Sequence, residues 1–138
     1  MREIFFRGKR VDNGEWVLGY YCPCVFGNFP AEPAIIDADE LKNGKWAPVK
    51  VIPETVGQYT SFTDKNGKRI FEGDIVRFDY VDDDGNDAAE DFLISYKKGA
   101  FFARQLGNIK CPSNILHIKQ RCVIGNKWDN PELLEMRK

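Results

Sequence analysis

A chain with a single histidine has few routes to acid–base or nucleophilic catalysis. Here that residue is His117, set in the apolar stretch Ile115-Leu116-His117-Ile118. Any Ser-His, Cys-His or histidine-containing metal site must use it, and its neighbours favour a structural or surface histidine over a catalytic one. Of the four cysteines, Cys22 and Cys24 flank Pro23, while Cys111 and Cys122 stand apart. A dyad of His117 with Cys111 or Cys122 exists on paper only, because sequence distance carries no geometry. Structural zinc sites draw on C-x2–4-C spacing, which lets the chain curl around the ion. A C-x-C pair on a strand still sets both sulfurs on one face, so zinc stays conceivable there, but buried or half-exposed thiols are the better reading. Reduced thiols are the expected state, and no cofactor is expected.

Carboxylates and cations offer three further patterns. The run Val81–Phe92 (VDDDGNDAAEDF) can be registered on an EF-hand loop with Gly85 sixth, which gives Asp82 and Asp84 ligand places. Tyr80 then falls where the first oxygen ligand belongs, and Asp91 falls where a bidentate Glu is usual. A solvated hairpin tip is the better reading. Glu72-Gly73-Asp74 brings two carboxylates to a corner, and the intervening glycine points to a tight turn in which Asp74 bonds local amides. The basic C-terminal third carries Lys97, Lys98, Arg104, Lys110, Lys119, Arg121 and Lys127, interleaved with Tyr96, Phe101, Phe102 and Trp128. Small β-barrels bind single-stranded nucleic acid with such charge–aromatic mixtures. Lys97, Lys98, Arg104, Lys119 and Arg121 are therefore the candidate contacts for a partner or a nucleic acid. No glycine-rich phosphate loop occurs.

The net charge of −1 conceals a division. Residues 56–93 hold 4 basic and 10 acidic side chains, a net of −6. Residues 94–138 hold 9 and 3, a net of +6. Either adjacent antiparallel strands pair opposite charges across a sheet, or acidic and basic faces meet in an oligomer or on phosphate.

The elements that must position these residues are strands. Asp12-Asn13-Gly14, Asn43-Gly44, Asn66-Gly67, Asp84-Gly85 and Gly107-Asn108 punctuate the 138 residues, and Asn-Gly and Asp-Gly suit type I′ hairpins. Between them lie runs rich in β-branched and aromatic residues. Strands are predicted near 2–8, 15–21, 46–52, 57–62, 68–71, 74–81, 91–97, 100–105 and 120–125. Val76, Phe78 and Tyr80 alternate with Arg77 and Asp79, and Phe92, Ile94 and Tyr96 repeat the pattern beyond Asp84-Gly85, so the two runs read as one hairpin. The segment from Gly27 to Glu40, with Pro30 and Pro33, reads as an excursion between strands. One short helix is predicted at the C-terminus, with Asn130 as cap and Pro131 first.

This is an all-β pattern with little helix. The cadence of Asp64–Phe78 resembles a small SH3-like barrel, which places an N-terminal β-subdomain at 1–55, the barrel at 56–126 and a tail or short helix at 127–138. One continuous domain over 1–138 is the alternative. MREIFFRGKR is not expected to act as a signal peptide, and no apolar run approaches the roughly 18 residues that span a bilayer. A cytoplasmic protein with no membrane role is expected.

Three blocks carry a family likeness: MREIFFRGKR with GEWVLGYY (14–21), VIPETVGQYTSFTDKNGKRIFEGDIVRF (51–78) and VIGNKWDNPELL (123–134). Together they resemble the YopX family of small phage and prophage proteins of mainly Gram-positive bacteria. One departure is Ser61, where the family pattern commonly has Gly after Gln-Tyr-Thr. The resemblance implies an all-β YopX-like fold and a bacterial host cell, and it supplies no activity or catalytic residue. The expected function is a non-enzymatic phage accessory protein, a β-rich module that self-associates or meets another phage or host protein. A nucleic-acid-binding module is the alternative, and a hydrolytic enzyme is the third reading.

Overall fold

The computed structural model describes residues 4–24, 27, 30–106, 113–114 and 121–135. It is mostly strand, with two short helices. The chain forms two compact units, Met1–Tyr59 and Thr60–Lys138.

In the first unit, β1 (Phe6–Lys9) pairs antiparallel with β2 (Trp16–Tyr21), β2 with β3 (Ala34–Asp37), and β3 with β4 (Pro48–Lys50). The chain past β4 then returns to the end of β1. Arg10 bridges Val51, the Val11 N–H donates to the Lys50 carbonyl at 3.0 Å, and the Ile52 N–H donates to the Lys9 carbonyl at 2.8 Å. The start of β1 pairs with β5 (Gly57–Thr63), Phe6 opposite Gln58. The strands thus curl around a core of Val17, Ile35 and Val51, with Phe6, Val49 and Val56 packed against it. Edge groups that would otherwise invite another strand are occupied along this seam.

β3 corrects the sequence reading, which passed over it as an excursion. Ala34, Ile35 and Ile36 are among the most buried residues of the unit. The strand is covered on both faces, so it lacks the alternation that marks a half-exposed strand, and Pro30 and Pro33 mask its start. Gly19 fits beside it because a Cβ there would overlap the Ile36 carbonyl oxygen. A second unexpected element, α1 (Ala38–Lys42), starts at Asp37, whose Oδ1 accepts from the Asp39 and Glu40 amides at 2.9 and 3.3 Å.

In the second unit, β5 leads into β6 (Arg69–Phe71), and a five-stranded antiparallel sheet follows. Its order is β10 (Ser113–Asn114), β9 (Ala100–Gln105), β8 (Asp87–Lys97), β7 (Asp74–Val81) and β11 (Arg121–Asn126). β7 and β8 are the predicted hairpin, with Val76 opposite Phe92 and Arg77 opposite Asp91. Ile70, Val76, Phe92, Ile94 and Ala103 form the core, flanked by Phe62, Phe78, Phe101 and Val123. The predicted C-terminal helix is α2 (Pro131–Glu135).

The Asn-Gly and Asp-Gly turns lie where expected, but their type differs. Type I′ needs positive φ at both central residues. Among the described residues the only non-glycines with positive φ are Ser61 and Lys98, and Asn43 has φ −88°. In two of the turns an aspartate organises the loop instead. Asp64 Oδ1 accepts from the Asn66 and Lys68 amides, and Asp82 Oδ1 from the Asp84 and Asn86 amides, with only the glycine left-handed. The two-residue turn with both φ positive is Lys98-Gly99, at 51° and 82°, joining β8 to β9. Gly107-Asn108 lies outside the described residues.

Candidate interaction surface

Strand alternation divides the β1–β2 hairpin into two faces. Phe6, Gly8, Val17, Gly19 and Tyr21 fall on one, and Phe5, Arg7, Trp16, Leu18 and Tyr20 on the other. Because positions 20 and 21 are both tyrosine, each face ends in a ring. Phe5 stacks on Tyr20 at 5.4 Å between centroids, and Phe6 meets Tyr21 at 5.7 Å. Farther along, the Arg7 guanidinium lies 4.6 Å from the Trp16 ring centroid and is itself buried.

At the open end of this hairpin, Ile4, Phe6, Tyr20 and Tyr21 line a cleft of about 330 Å³. Ile4 is 53% exposed, Tyr20 45% and Tyr21 39%. Large apolar side chains grouped on a surface mark contact sites more often than isolated ones do. Among its described lining residues the cleft has no titratable constellation, so its chemistry is shape and apolar contact. A second cleft of about 320 Å³, lined by Arg10, Val11, Asp12, Pro48, Val49 and Lys50, is walled partly by the Arg10–Asp12 ion pair at 2.8 Å. Reading residues by chemistry alone missed the first cleft. Its only signal was the consecutive Tyr20 and Tyr21 at a strand end.

The basic candidates separate. Lys97 and Lys98 are exposed at the β8–β9 turn, beside Tyr96, which is 46% exposed and packs edge-on against Phe101 at 5.0 Å. Arg104 is half-buried on β9 opposite Leu93. Arg121 begins β11, at the far edge of the sheet from β9 and β10. It is buried, with its guanidinium 5.5 Å from the Phe62 ring centroid. Burial lowers its pKa, and the nearby Asp64 charge opposes that shift. Lys119, Lys110, Cys111 and His117 lie outside the described residues.

The acidic residues serve structure. Asp91 takes both Arg77 donors at 2.8 and 3.1 Å, directly across the sheet. Asp74 accepts the Phe71 N–H at 2.8 Å, so it bonds a local amide at the Gly73 corner as expected. Asp64 accepts three amides, from Asn66, Lys68 and Val123. Burial alone would raise its pKa, but those donors and the Lys68 charge outweigh burial and hold it below the ordinary carboxylate range. Among the described residues no three His, Cys, Asp or Glu side chains converge as a metal site would require. No described helix is long and apolar enough to cross a membrane.

The family model described as YopX protein matches residues 25–135. The chain is also similar to a solved structure, the crystal structure of protein EF1440 from Enterococcus faecalis. The two share 28% identity with a TM-score of 0.58, over 97% of this chain and 99% of that one. No curated protein matches it.

Proposed function

The chain belongs to the YopX family, and on that premise we propose that it is a non-enzymatic accessory protein of a phage or prophage. In this reading it acts in the cytoplasm of a bacterial cell as a β-rich module that self-associates. The observation that carries the reading is the open cleft of Ile4, Phe6, Tyr20 and Tyr21. Tyrosine anchors are enriched where proteins meet, because each ring buries much surface and loses little rotamer freedom. Unpaired strand edges lend the reading little support, since the β1–β4 seam is already bonded. A stable dimer buries roughly 800 Å² per partner, so the cleft supplies the anchors and its surroundings the rest.

Sedimentation velocity at micromolar concentration tests this. Wild type sediments as a defined oligomer, and Tyr20→Glu and Ile4→Glu sediment as monomers with unchanged circular dichroism. A monomeric wild type, or variants that still assemble, would overturn the reading.

One observation favours a second reading, in which the β8–β9 turn binds single-stranded nucleic acid. β8 is 11 residues long, so the acidic turn at Asp82–Asp87 lies about 33 Å from Lys97. That is several Debye lengths at physiological salt, and the acidic run therefore leaves the field at Lys97 and Lys98 intact. Oligonucleotide binding should then weaken with salt, and replacing both lysines with Ala should reduce the log–log salt slope by about 1.4. Salt-independent binding, or none, would remove it.

A further inference from the structure

We propose that Cys22 and Cys24 form a two-thiolate site for a soft monovalent cation, with cuprous copper as its representative. The backbone sets the geometry. The Cys22 N–H donates to the Ala34 carbonyl and the Cys24 N–H to the Glu32 carbonyl, both at 2.9 Å, and the Glu32 N–H returns a bond to the Cys24 carbonyl at 2.8 Å. Two amides two residues apart that reach the same neighbouring segment face the same way, so the two side chains project on one face. Pro23, between them, has no N–H to satisfy on the opposite side and fixes its own φ. The pair is therefore held in register before any ion arrives.

The sulfurs are half-buried free thiols, and the Cys24 thiol donates back across Pro23 to the Cys22 carbonyl at 3.1 Å.

Ligand count selects the cation. Structural zinc takes four ligands, whereas no three ligating side chains converge among the described residues. The nearest backbone partner, Glu32, directs its carboxylate to Lys50 at 3.1 Å. Two thiolates with no third side-chain donor among the described residues suit a soft ion that tolerates low coordination. Each sulfur releases its proton when it binds, so one cation displaces two protons. Because the thiolate is the ligating form, affinity increases with pH.

The test is an anaerobic titration of the reduced full-length chain with cuprous ion, buffered by a chromogenic cuprous chelator. Wild type withdraws one equivalent from the chelator. Cys22→Ser and Cys24→Ser each lose at least about tenfold in affinity, while Cys111→Ser and Cys122→Ser are unchanged. Wild-type affinity rises from about pH 6 to about pH 8. Circular dichroism verifies that the serine variants stay folded. Binding that survives Cys22→Ser, that requires Cys111 or Cys122, or that never competes with the chelator would overturn the proposal.

Discussion

Trp128 lies against Gly73, so that a Cβ at position 73 would overlap its six-membered ring. Gly73 also holds φ +91°, donates its N–H to the Ile94 carbonyl at 2.8 Å and accepts the Lys127 N–H at 2.9 Å. Space, backbone conformation and hydrogen bonding thus all bear on one residue. The corner it forms joins two stretches of sequence more than fifty positions apart.

Gly73→Ala should cost about 3 kcal/mol, combining left-handed strain with overpacking. Urea denaturation measures it as a lower midpoint. In the double variant with Trp128→Ala the costs should fall short of additive, because the ring that the new methyl meets is gone. Full additivity would show that the strain is in the backbone alone.

Ser61 is an exposed residue held at φ +75° within β5, at the position where the family pattern commonly has Gly. A side chain there is strained whatever its chemistry, whereas glycine adopts the conformation freely. Ser61→Gly should therefore stabilise the protein by about 0.5–1 kcal/mol, net of the entropy glycine adds to the unfolded chain. Thermal denaturation should show a rise in Tm of a few degrees, with no gain for Ser61→Ala.

Lys98 occupies the first central position of the Lys98-Gly99 turn at φ 51°, where Asn is strongly preferred. Lys98→Asn should add a few tenths of a kcal/mol, visible as a small upward shift in the denaturation midpoint. Lys98→Val, whose branched side chain tolerates this conformation poorly, should shift it down.

Asp64 serves the outer edge of β11, accepting the Val123 N–H at 3.1 Å while the neighbouring Lys65 N–H donates to the Arg121 carbonyl at 3.0 Å. Its folded pKa lies below its unfolded value, so its contribution is present above about pH 4 and fades as pH falls through the folded value. Asp64→Ala should cost about 3 kcal/mol at neutral pH, since three part-buried amides lose a charged acceptor. The gap in urea midpoint between wild type and variant should then narrow on acidification. A gap that stays constant would refute the assignment.

Sequence pattern revealed the elements whose two faces differ. Val76, Phe78 and Phe92 stand out because their neighbours Arg77, Asp79 and Asp91 are polar, and the Arg77–Asp91 pair is the cross-strand charge match that alternation implies. β3 escaped because Ala34, Ile35 and Ile36 are buried without interruption. Turn positions were legible from glycine, but turn type was not, because Asp64 and Asp82 decide it through side-chain bonds that glycine does not report. The aromatic cleft depends on which of two consecutive tyrosines meets which ring, and only the β1–β2 register settles that. Arg121 read as a surface cation because charge is visible in sequence and its seat over Phe62 is not.

The span of β8 has a consequence for handling the molecule. With Asp82, Asp83, Asp84 and Asp87 at one end and Lys97 and Lys98 at the other, this strand runs along an electric dipole, and a net charge of −1 describes neither end. Near neutral pH the acidic end of the strand draws the molecule to an anion exchanger and the basic end draws it to a cation exchanger. Its elution from each resin then reports one end of β8, not the sum over the chain.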